Sequence, residues 1–209
     1  FIGVDNPRKN YRDFPFLSSI QFFIMNRLDT KAQQEKLQYL SYRDALTNLY
    51  NRNRYMNVLE NYSQNKGQLI RNVGVVYMDL NELKKVNDEQ GHEAGDSYIR
   101  RAAQQIVAVF PEHTYRIGGD EFVVLYPEIK QEEFEYFVSQ LQKNAKEHQV
   151  NISYGVVWKE VCENLEDLLT EADKKMYEDK KLYYSNTKHN RRGQIERNSP
   201  FCTAEKKAM

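Results

Sequence analysis

Apolar residues recur at helical spacing near the start of the chain, and this pattern predicts its first element. No glycine or proline occurs between residues 16 and 44. A polar stretch, DTKAQQEK, interrupts an otherwise continuous stripe. The stripe consists of Phe16, Ile20, Phe23, Ile24, Leu28, Leu37 and Leu40. We therefore predict a connecting helix over residues 16–44, although its heptad pattern is too irregular to predict a coiled coil.

Strand-like and helix-like segments alternate from residue 41 to residue 184. Residues 73–78 (VGVVYM) form a continuous apolar run of buried-strand length, and residues 150–158 are a second predicted strand. Helical faces recur in residues 99–110, 134–145 and 165–176. The order strand–helix–helix–strand–strand–helix–strand–helix predicts an α+β fold, with a central, mostly antiparallel sheet flanked by helices.

A hairpin is predicted between residues 115 and 126. Two short apolar segments flank Gly118 and Gly119, which are followed by Asp120 and Glu121. Tight hairpin turns often need residues with positive φ, which glycine adopts readily. We therefore expect the two glycines to form the turn.

Composition limits the classes of protein to consider. The chain has 209 residues, 40% of them apolar, which suits one domain of about 150 residues plus an appendage. Thirty Lys and Arg balance thirty Asp and Glu, so a globally basic nucleic-acid-binding protein is disfavoured. The two cysteines form no disulfide framework, which favours a reducing, cytoplasmic location.

The two ends of the chain differ from the middle. The apolar stretch 14–25 is interrupted by polar residues and is shorter than the roughly 20 residues of a membrane span. Because the chain begins at Phe1 rather than Met, we interpret it as part of a longer protein, with residues 1–15 ending an upstream domain. Residues 185–209 hold six Lys or Arg against two Glu and predict a mobile basic tail, or else an arm that binds phosphate or a partner.

Three acidic residues suggest a metal site. Asp79 directly follows the predicted strand 73–78, and Asp120 and Glu121 lie in the predicted turn. If the two strands are neighbours, the three carboxylates meet at one edge of the sheet and raise one another's pKa. A divalent cation bound by oxygen ligands, Mg²⁺ or Mn²⁺, would relieve this repulsion. The alternative is that Asp120 and Glu121 are ordinary solvated turn residues.

Four segments, in order, resemble a known family. Residues 116–125 (RIGGDEFVVL) resemble the signature of the GGDEF family of diguanylate cyclases. Residues 44–55 (DALTNLYNRNRY), 78–96 (MDLNELKKVNDEQGHEAGD) and 172–180 (ADKKMYEDK) resemble its opening, nucleotide-binding and closing segments. The resemblance covers residues 41–184 and implies a GGDEF catalytic domain with the palm-like fold of nucleotidyl cyclases, built on a ferredoxin-like core.

The family's activity, by this resemblance, is the condensation of two GTP molecules into cyclic di-GMP and two pyrophosphates. Two Mg²⁺ (or Mn²⁺) ions per active site would be held by the side chains of Asp79 and Asp120 and the backbone carbonyl of Leu80. Glu121 would be a further ligand or a proton acceptor. The ions would neutralise the triphosphate and activate a 3′-hydroxyl for in-line attack.

The resemblance also implies a phosphate-binding set. Lys84 and Lys180 would contact the phosphates as point charges, and the backbone N–H groups of Glu82 and Leu83 would contribute at the start of a helix. The alternative for Lys180 is a solvated helix end. Arg116 would orient the phosphates or, as the alternative, form a structural ion pair.

Guanine recognition is assigned by the same resemblance to Asn87 and Asp96, with His92 lining the site. A carboxylate can accept both adjacent N–H groups of guanine, whereas adenine would place an acceptor against it. The mismatch would leave Asp96 unpaired and cost on the order of a few kcal/mol. The alternative for His92 is a structural residue at a helix end.

The implied reaction needs two domains, because each would hold one GTP and face its partner across a two-fold axis. Residues 16–44 would link this homodimer to an upstream sensory domain, and residues 1–13 faintly resemble the end of a GAF domain.

Glu82 adds a negative charge near the phosphates, and the closing helix lacks the usual Gly-Arg-Asn. These departures favour an alternative, a degenerate domain that binds GTP or cyclic di-GMP without turnover. A dimerisation or protein-interaction module is a third possibility.

Overall fold

A computed structural model describes residues 14–64 and 69–197, which belong to two compact units divided between Arg43 and Asp44. In the first unit, helix α1 spans Phe14–Tyr42, and it covers residues 16–42 of the segment 16–44 predicted as a connecting helix. Its apolar side chains Phe22, Phe23 and Leu28 are more than half exposed. The predicted end of an upstream domain lies almost entirely outside the described residues.

The second unit contains five strands and five helices among the described residues. Their bounds are β1 (Tyr50–Asn51), α2 (Arg52–Gln64), β2 (Ile70–Leu80), α3 (Leu83–Gln90), α4 (His92–Val109), β3 (Thr114–Arg116), β4 (Glu121–Tyr126), α5 (Gln131–Glu147), β5 (Ile152–Cys162) and α6 (Leu165–Arg197). No described helix is both long enough and apolar enough to cross a membrane.

The strands form one mixed sheet in the order β1-β3-β4-β2-β5. Only β1 and β3 pair in parallel, and the other pairs are antiparallel. The α+β fold and its mostly antiparallel central sheet are thus confirmed. Because β2 lies between β4 and β5 and is covered on both faces, its residues 73–76 are all buried and read as a continuous apolar run.

Alternation along β2 divides the core into two layers. Val76 and Met78 face one layer, which includes side chains of α4 and α5. Val73 and Val75 face the other layer, with side chains of α2 and α6. Since side chains alternate with period two, Asp79 lies on the same face of the sheet as Val73 and Val75. The sequence of β2 therefore directs Asp79 to the face that α6 covers.

The contact between β5 and α6 is unusually close at Gly155. A Cβ atom there would meet backbone atoms of Ala172 and Met176. Only a glycine allows the helix to approach the strand to this distance. Gly155 therefore sets the position of α6 over the sheet.

Two elements were not predicted, and one is longer than predicted. These two elements are β1 and α2, although the apolar residues of α2 recur at helical spacing: Tyr55, Val58, Leu59 and Tyr62. Helix α6 continues to Arg197, beyond the predicted helical face 165–176, so residues 185–197 are helical, and the mobility of the basic tail stays a prediction. Residues 198–209 lie outside the described part of the chain.

Candidate active site

The acidic ends of β2 and β4 lie side by side. Asp79 and Glu121 are directly opposite residues of the antiparallel pair, and the amide of Leu80 donates to the carbonyl of Asp120 at 3.0 Å. Directly opposite residues have Cβ atoms about 5 Å apart on one face of a sheet. The structure therefore places the three predicted acidic residues at one edge of the sheet.

These carboxylates disfavour one another's ionised forms. Burial and the nearby Asp120 raise the pKa of Asp79, although Lys180 acts in the opposite direction. Burial, followed by Asp120 and Asp79, also raises the pKa of Glu121. The edge of the sheet therefore carries more negative charge than its surroundings neutralise, and an added cation would be stabilised there.

Lys180 of α6 is the cation closest to Asp79 in the described structure. Its Nζ lies 2.7 Å from Asp79 Oδ1, and the Asp79 side chain is only 6% exposed. No other described residue donates a hydrogen bond to that oxygen. Burial lowers the pKa of Lys180, but the contact with Asp79 outweighs it and raises the pKa overall. Lys180 thus neutralises the oxygen that was predicted to bind a metal.

The donors at this edge fit a magnesium-like ion that is bound only in part by protein. Within the described residues, no three Asp, Glu, His or Cys side chains are grouped closely enough to hold a metal alone. Mg²⁺ characteristically takes one or two carboxylates and completes its shell with water and substrate phosphates. Asp79, Asp120 and the carbonyl of Leu80 could supply that protein share. Such an ion would need Lys180 to leave Asp79.

The two turn glycines do not have the backbone conformation that was predicted for them. In the described chain only Gly91 among the glycines has a positive φ, of 87°, so the expectation of positive φ at Gly118 and Gly119 is wrong. A Cβ atom at Gly118 would lie 2.5 Å from Glu121 Oε2. The Glu121 carboxylate therefore packs against Gly118, and a side chain at this position would displace it.

A cavity of about 560 Å³ opens beside the acidic edge. It is lined by six of the predicted metal- and phosphate-binding residues: Leu80, Glu82, Leu83, Lys84, Asp120 and Lys180. Tyr184, which the sequence analysis did not single out, also lines it. Three lysines (Lys84, Lys85 and Lys180) and the start of α3 favour an anionic ligand. The lining also holds four acidic residues, Glu82, Asp88, Glu89 and Asp120, so such an anion would have to carry its own metal ions.

The start of α3 is shaped by an unusual residue. Glu82 precedes the helix in a left-handed conformation, with φ 64°, and its carbonyl accepts the amide of Val86 at 3.0 Å. The first N–H groups of a helix have no intrahelical partner and attract anions. The N–H of Glu82 is already used, because it donates to the hydroxyl oxygen of Tyr184 at 3.2 Å.

The predicted guanine-binding residues lie on α3 and α4, outside the lining of this cavity. Asn87 packs against Gly95, where a Cβ atom would overlap the Asn87 side-chain oxygen. Asp96 is half exposed, with Arg100 4.0 Å away, and His92 is exposed at the first position of α4. The structure brings Asn87 next to the residue that precedes Asp96, and their role in guanine binding stays a prediction.

Gly95→Ala tests that role without touching a proposed ligand. The added methyl group would displace the Asn87 amide, so we expect the affinity for a guanine nucleotide to fall about tenfold. Titration calorimetry with a non-hydrolysable GTP analogue measures this. Ser97→Ala, on the exposed part of the same helix, should have no effect. In an Asn87→Ser background the Gly95 substitution should add little, and an undiminished effect there would contradict the explanation.

Arg116 has a structural partner. Its Nη1 lies 2.8 Å from Asp44 Oδ1, and its Nη2 donates to the carbonyl of Gly119 at 2.8 Å. Asp44 Oδ1 also accepts the amide and hydroxyl of Thr47. Arg116 is absent from the cavity lining, so the structure favours the ion-pair interpretation over phosphate binding. The network ties the opening segment to the hairpin.

Comparison with known proteins identifies the domain that carries this site. The family model described as "Diguanylate cyclase, GGDEF domain" matches residues 41–185, which is most of the chain. This chain belongs to the GGDEF-domain family. The match includes the last two residues of α1 and covers every element from β1 to β5 together with the first part of α6.

Relatives of the GGDEF domain carry more than one kind of name. Diguanylate cyclase DgcS from Shewanella oneidensis is 30% identical over 171 residues, which are 78% of this chain and 58% of DgcS. Cyclic di-GMP phosphodiesterase PdeR from Escherichia coli is 36% identical over 119 residues, which are 54% of this chain and 17% of PdeR. The chain thus spans less than two thirds of either relative.

Solved structures share the fold of the GGDEF domain. Diguanylate cyclase SiaD from Pseudomonas aeruginosa, in complex with its activator SiaC, has a TM-score of 0.64 and 21% identity, covering 83% of this chain and 72% of SiaD. At this level of identity the likeness concerns the fold alone. It agrees with the mixed five-stranded sheet flanked by helices.

Proposed function

We propose that this GGDEF domain is an active diguanylate cyclase that condenses two GTP molecules into cyclic di-GMP and two pyrophosphates. The observation that carries the proposal is the acidic edge formed by Asp79, Asp120 and Glu121 beside a cavity lined by Lys84 and Lys180. Family membership and the name of the relative DgcS support the same reaction.

Some residues of the site would neutralise the charge of the triphosphate, and others would orient it. Lys84 and Lys180 neutralise the β- and γ-phosphates, and the N-terminal amides of α3 orient them. Asp79, Asp120 and the Leu80 carbonyl would hold two Mg²⁺ ions. When bound, these ions polarise the α-phosphate and acidify the attacking hydroxyl.

Each bond-forming step balances without a further reactant. The 3′-oxygen of one GTP attacks the α-phosphorus of the other, the bond to pyrophosphate breaks, and the hydroxyl proton passes to Glu121. Two such steps, one in each direction, close the ring of the product. They require two domains that face each other.

The negative charge of Glu82 does not exclude this function. Glu82 shares a side-chain hydrogen bond with Tyr183, which holds the carboxylate to α6. The alternative, a domain that binds GTP or cyclic di-GMP without turnover, rests on the absence of the usual Gly-Arg-Asn after Lys180. Both functions predict nucleotide binding, so turnover distinguishes them.

A product assay tests the proposal. The chain is incubated with GTP and Mg²⁺, and nucleotides are separated by chromatography, with Asp120→Ala as the control. Formation of cyclic di-GMP by the unaltered chain alone supports the cyclase. GTP binding without product would instead support the regulatory module. If the chain shows neither GTP binding nor product, the interaction module is the interpretation that fits.

The need for a dimer makes a second prediction. We expect the rate per subunit to rise with protein concentration and to reach a plateau, because a lone domain holds only one of the two substrates. The exposed apolar residues of α1 offer a surface for association of two copies. A rate per subunit that stays constant from nanomolar to micromolar protein would contradict a reversible dimer in this range.

A further inference from the structure

Two adjacent tyrosines of α6 both hold Glu82. The hydroxyl oxygen of Tyr184 accepts the N–H of Glu82 at 3.2 Å, and the side chain of Tyr183 is hydrogen-bonded to the Glu82 carboxylate. The two rings lie edge to face with centroids 5.3 Å apart. The two neighbouring tyrosines therefore contact the backbone amide and the side-chain carboxylate of the same residue, Glu82.

Tyr184 lies one helical turn beyond Lys180, on the same face of α6. Both line the cavity beside the acidic edge. Lys180 contacts Asp79, a proposed metal ligand, and Tyr184 contacts an amide at the proposed phosphate end of the site. In the described structure, α6 thus contacts two groups that a metal-bound nucleotide would use, the Asp79 carboxylate and the Glu82 amide.

The contact made by Tyr184 is suited to exchange. Its distance of 3.2 Å is at the long end for an N–H···O hydrogen bond, and a neutral phenol is a weaker acceptor than a phosphate oxygen. Tyr184 is also 37% exposed, so its side chain can rotate away from Glu82 into solvent. A phosphate drawn to the start of α3 would compete successfully for the amide.

We propose that Tyr184 is a gate at the phosphate end of the site. This inference rests on the proposed function. The Tyr184 hydroxyl occupies the Glu82 amide in the free protein, and the triphosphate displaces it on binding. Tyr183 has the opposite effect as a positioning residue, because it keeps the Glu82 carboxylate away from the phosphates. Burial and then Glu82 raise the pKa of Tyr183 to about 12, so its hydroxyl remains a donor.

Adjacent substitutions should therefore change nucleotide affinity in opposite directions. With Tyr184→Phe we expect the Kd of a non-hydrolysable GTP analogue with Mg²⁺ to fall about fivefold, the net worth of one hydrogen bond. With Tyr183→Phe we expect it to rise about threefold, since the carboxylate is released. Tyr177→Phe is the matched control, because Tyr177 lies on the same helix and is 54% exposed, and it should change nothing.

Titration calorimetry on the full chain provides the measurement. Guanosine, which has no phosphates, should compete equally well in the unaltered chain and in Tyr184→Phe. A Kd for Tyr184→Phe that is unchanged or raised overturns the gate, while the product assay still decides the proposed cyclase. If the unaltered chain binds the analogue but forms no cyclic di-GMP from GTP, only the proposed turnover fails. The comparison of Kd values then still tests the gate. If the unaltered chain does not bind the analogue, both proposals fail.

Discussion

Asp79→Asn is expected to reduce cyclic di-GMP formation by on the order of a thousandfold, as expected for loss of a strong electrostatic contact to the reacting groups. The substitution keeps the shape of the side chain but removes the charge that would bind a metal. Asp79 is only 5% exposed, so little solvent reaches its carboxylate. Lys180 would also lose the partner that holds it at the site.

The fold should survive this change. Burial and Asp120 raise the pKa of Asp79 even with Lys180 in contact, so the ionised carboxylate is net unfavourable in the folded, metal-free protein. We therefore expect the free energy of unfolding at neutral pH to stay the same or to rise. Retained stability with lost activity separates a functional residue from a structural one.

Three measurements check the prediction for Asp79. They are the rate of product formation, Mn²⁺ binding followed by electron paramagnetic resonance, and urea unfolding. Asp167→Asn, an exposed carboxylate in the first turn of α6, is the matched control. It should leave the rate and Mn²⁺ binding unchanged and should lower the free energy of unfolding by less than about 1 kcal/mol, because its charge interacts with the helix dipole. Undiminished Mn²⁺ binding in Asp79→Asn would show that Asp79 is not a metal ligand.

Gly155→Ala is expected to lower the free energy of unfolding by about 3 kcal/mol, at the upper end of the range for overpacking. The added methyl group would meet the carbonyl oxygen of Ala172 and the amide nitrogen of Met176. Backbone atoms cannot turn aside as a side chain does, so the whole of α6 must shift. Lys180 and Tyr184 would move with it, and turnover should fall as well.

Denaturant unfolding measures the effect at Gly155, with Gly119→Ala as the stability control. A Cβ atom at Gly119 would meet nothing within 4 Å, and its φ is not positive, so the change there should stay below about 0.5 kcal/mol. A loss of less than 1 kcal/mol for Gly155→Ala would mean that the helix and strand separate easily. The position of α6 would then not depend on Gly155.

Features set by local periodicity were predictable from the sequence. The apolar run before Asp79 and the hairpin around Asp120 and Glu121 predict strands, and antiparallel pairing of those strands brings the acidic residues together. The two-residue strand β1 has too few positions for a period to appear. Helix α2 does carry a helical pattern, which extends beyond the motif of residues 44–55 and is sufficient to predict this helix.

Contacts between distant segments were beyond such reasoning. Lys180 and Tyr184 reach Asp79 and Glu82 across about a hundred residues, and no periodic pattern encodes which turn of α6 lies over which end of β2. The contact between Gly118 and the Glu121 carboxylate is of the same kind, because the conformation of the turn does not predict it.

The ion pair between Lys180 and Asp79 links the two ligands of the site thermodynamically. A divalent ion that arrives alone competes with Lys180 for one oxygen and leaves the ammonium group without a counter-charge. When a triphosphate arrives with the ion, it accepts the displaced ammonium group. Each ligand would then strengthen the binding of the other by the same factor, as reciprocity requires. The free magnesium concentration would thereby set the apparent affinity for nucleotide.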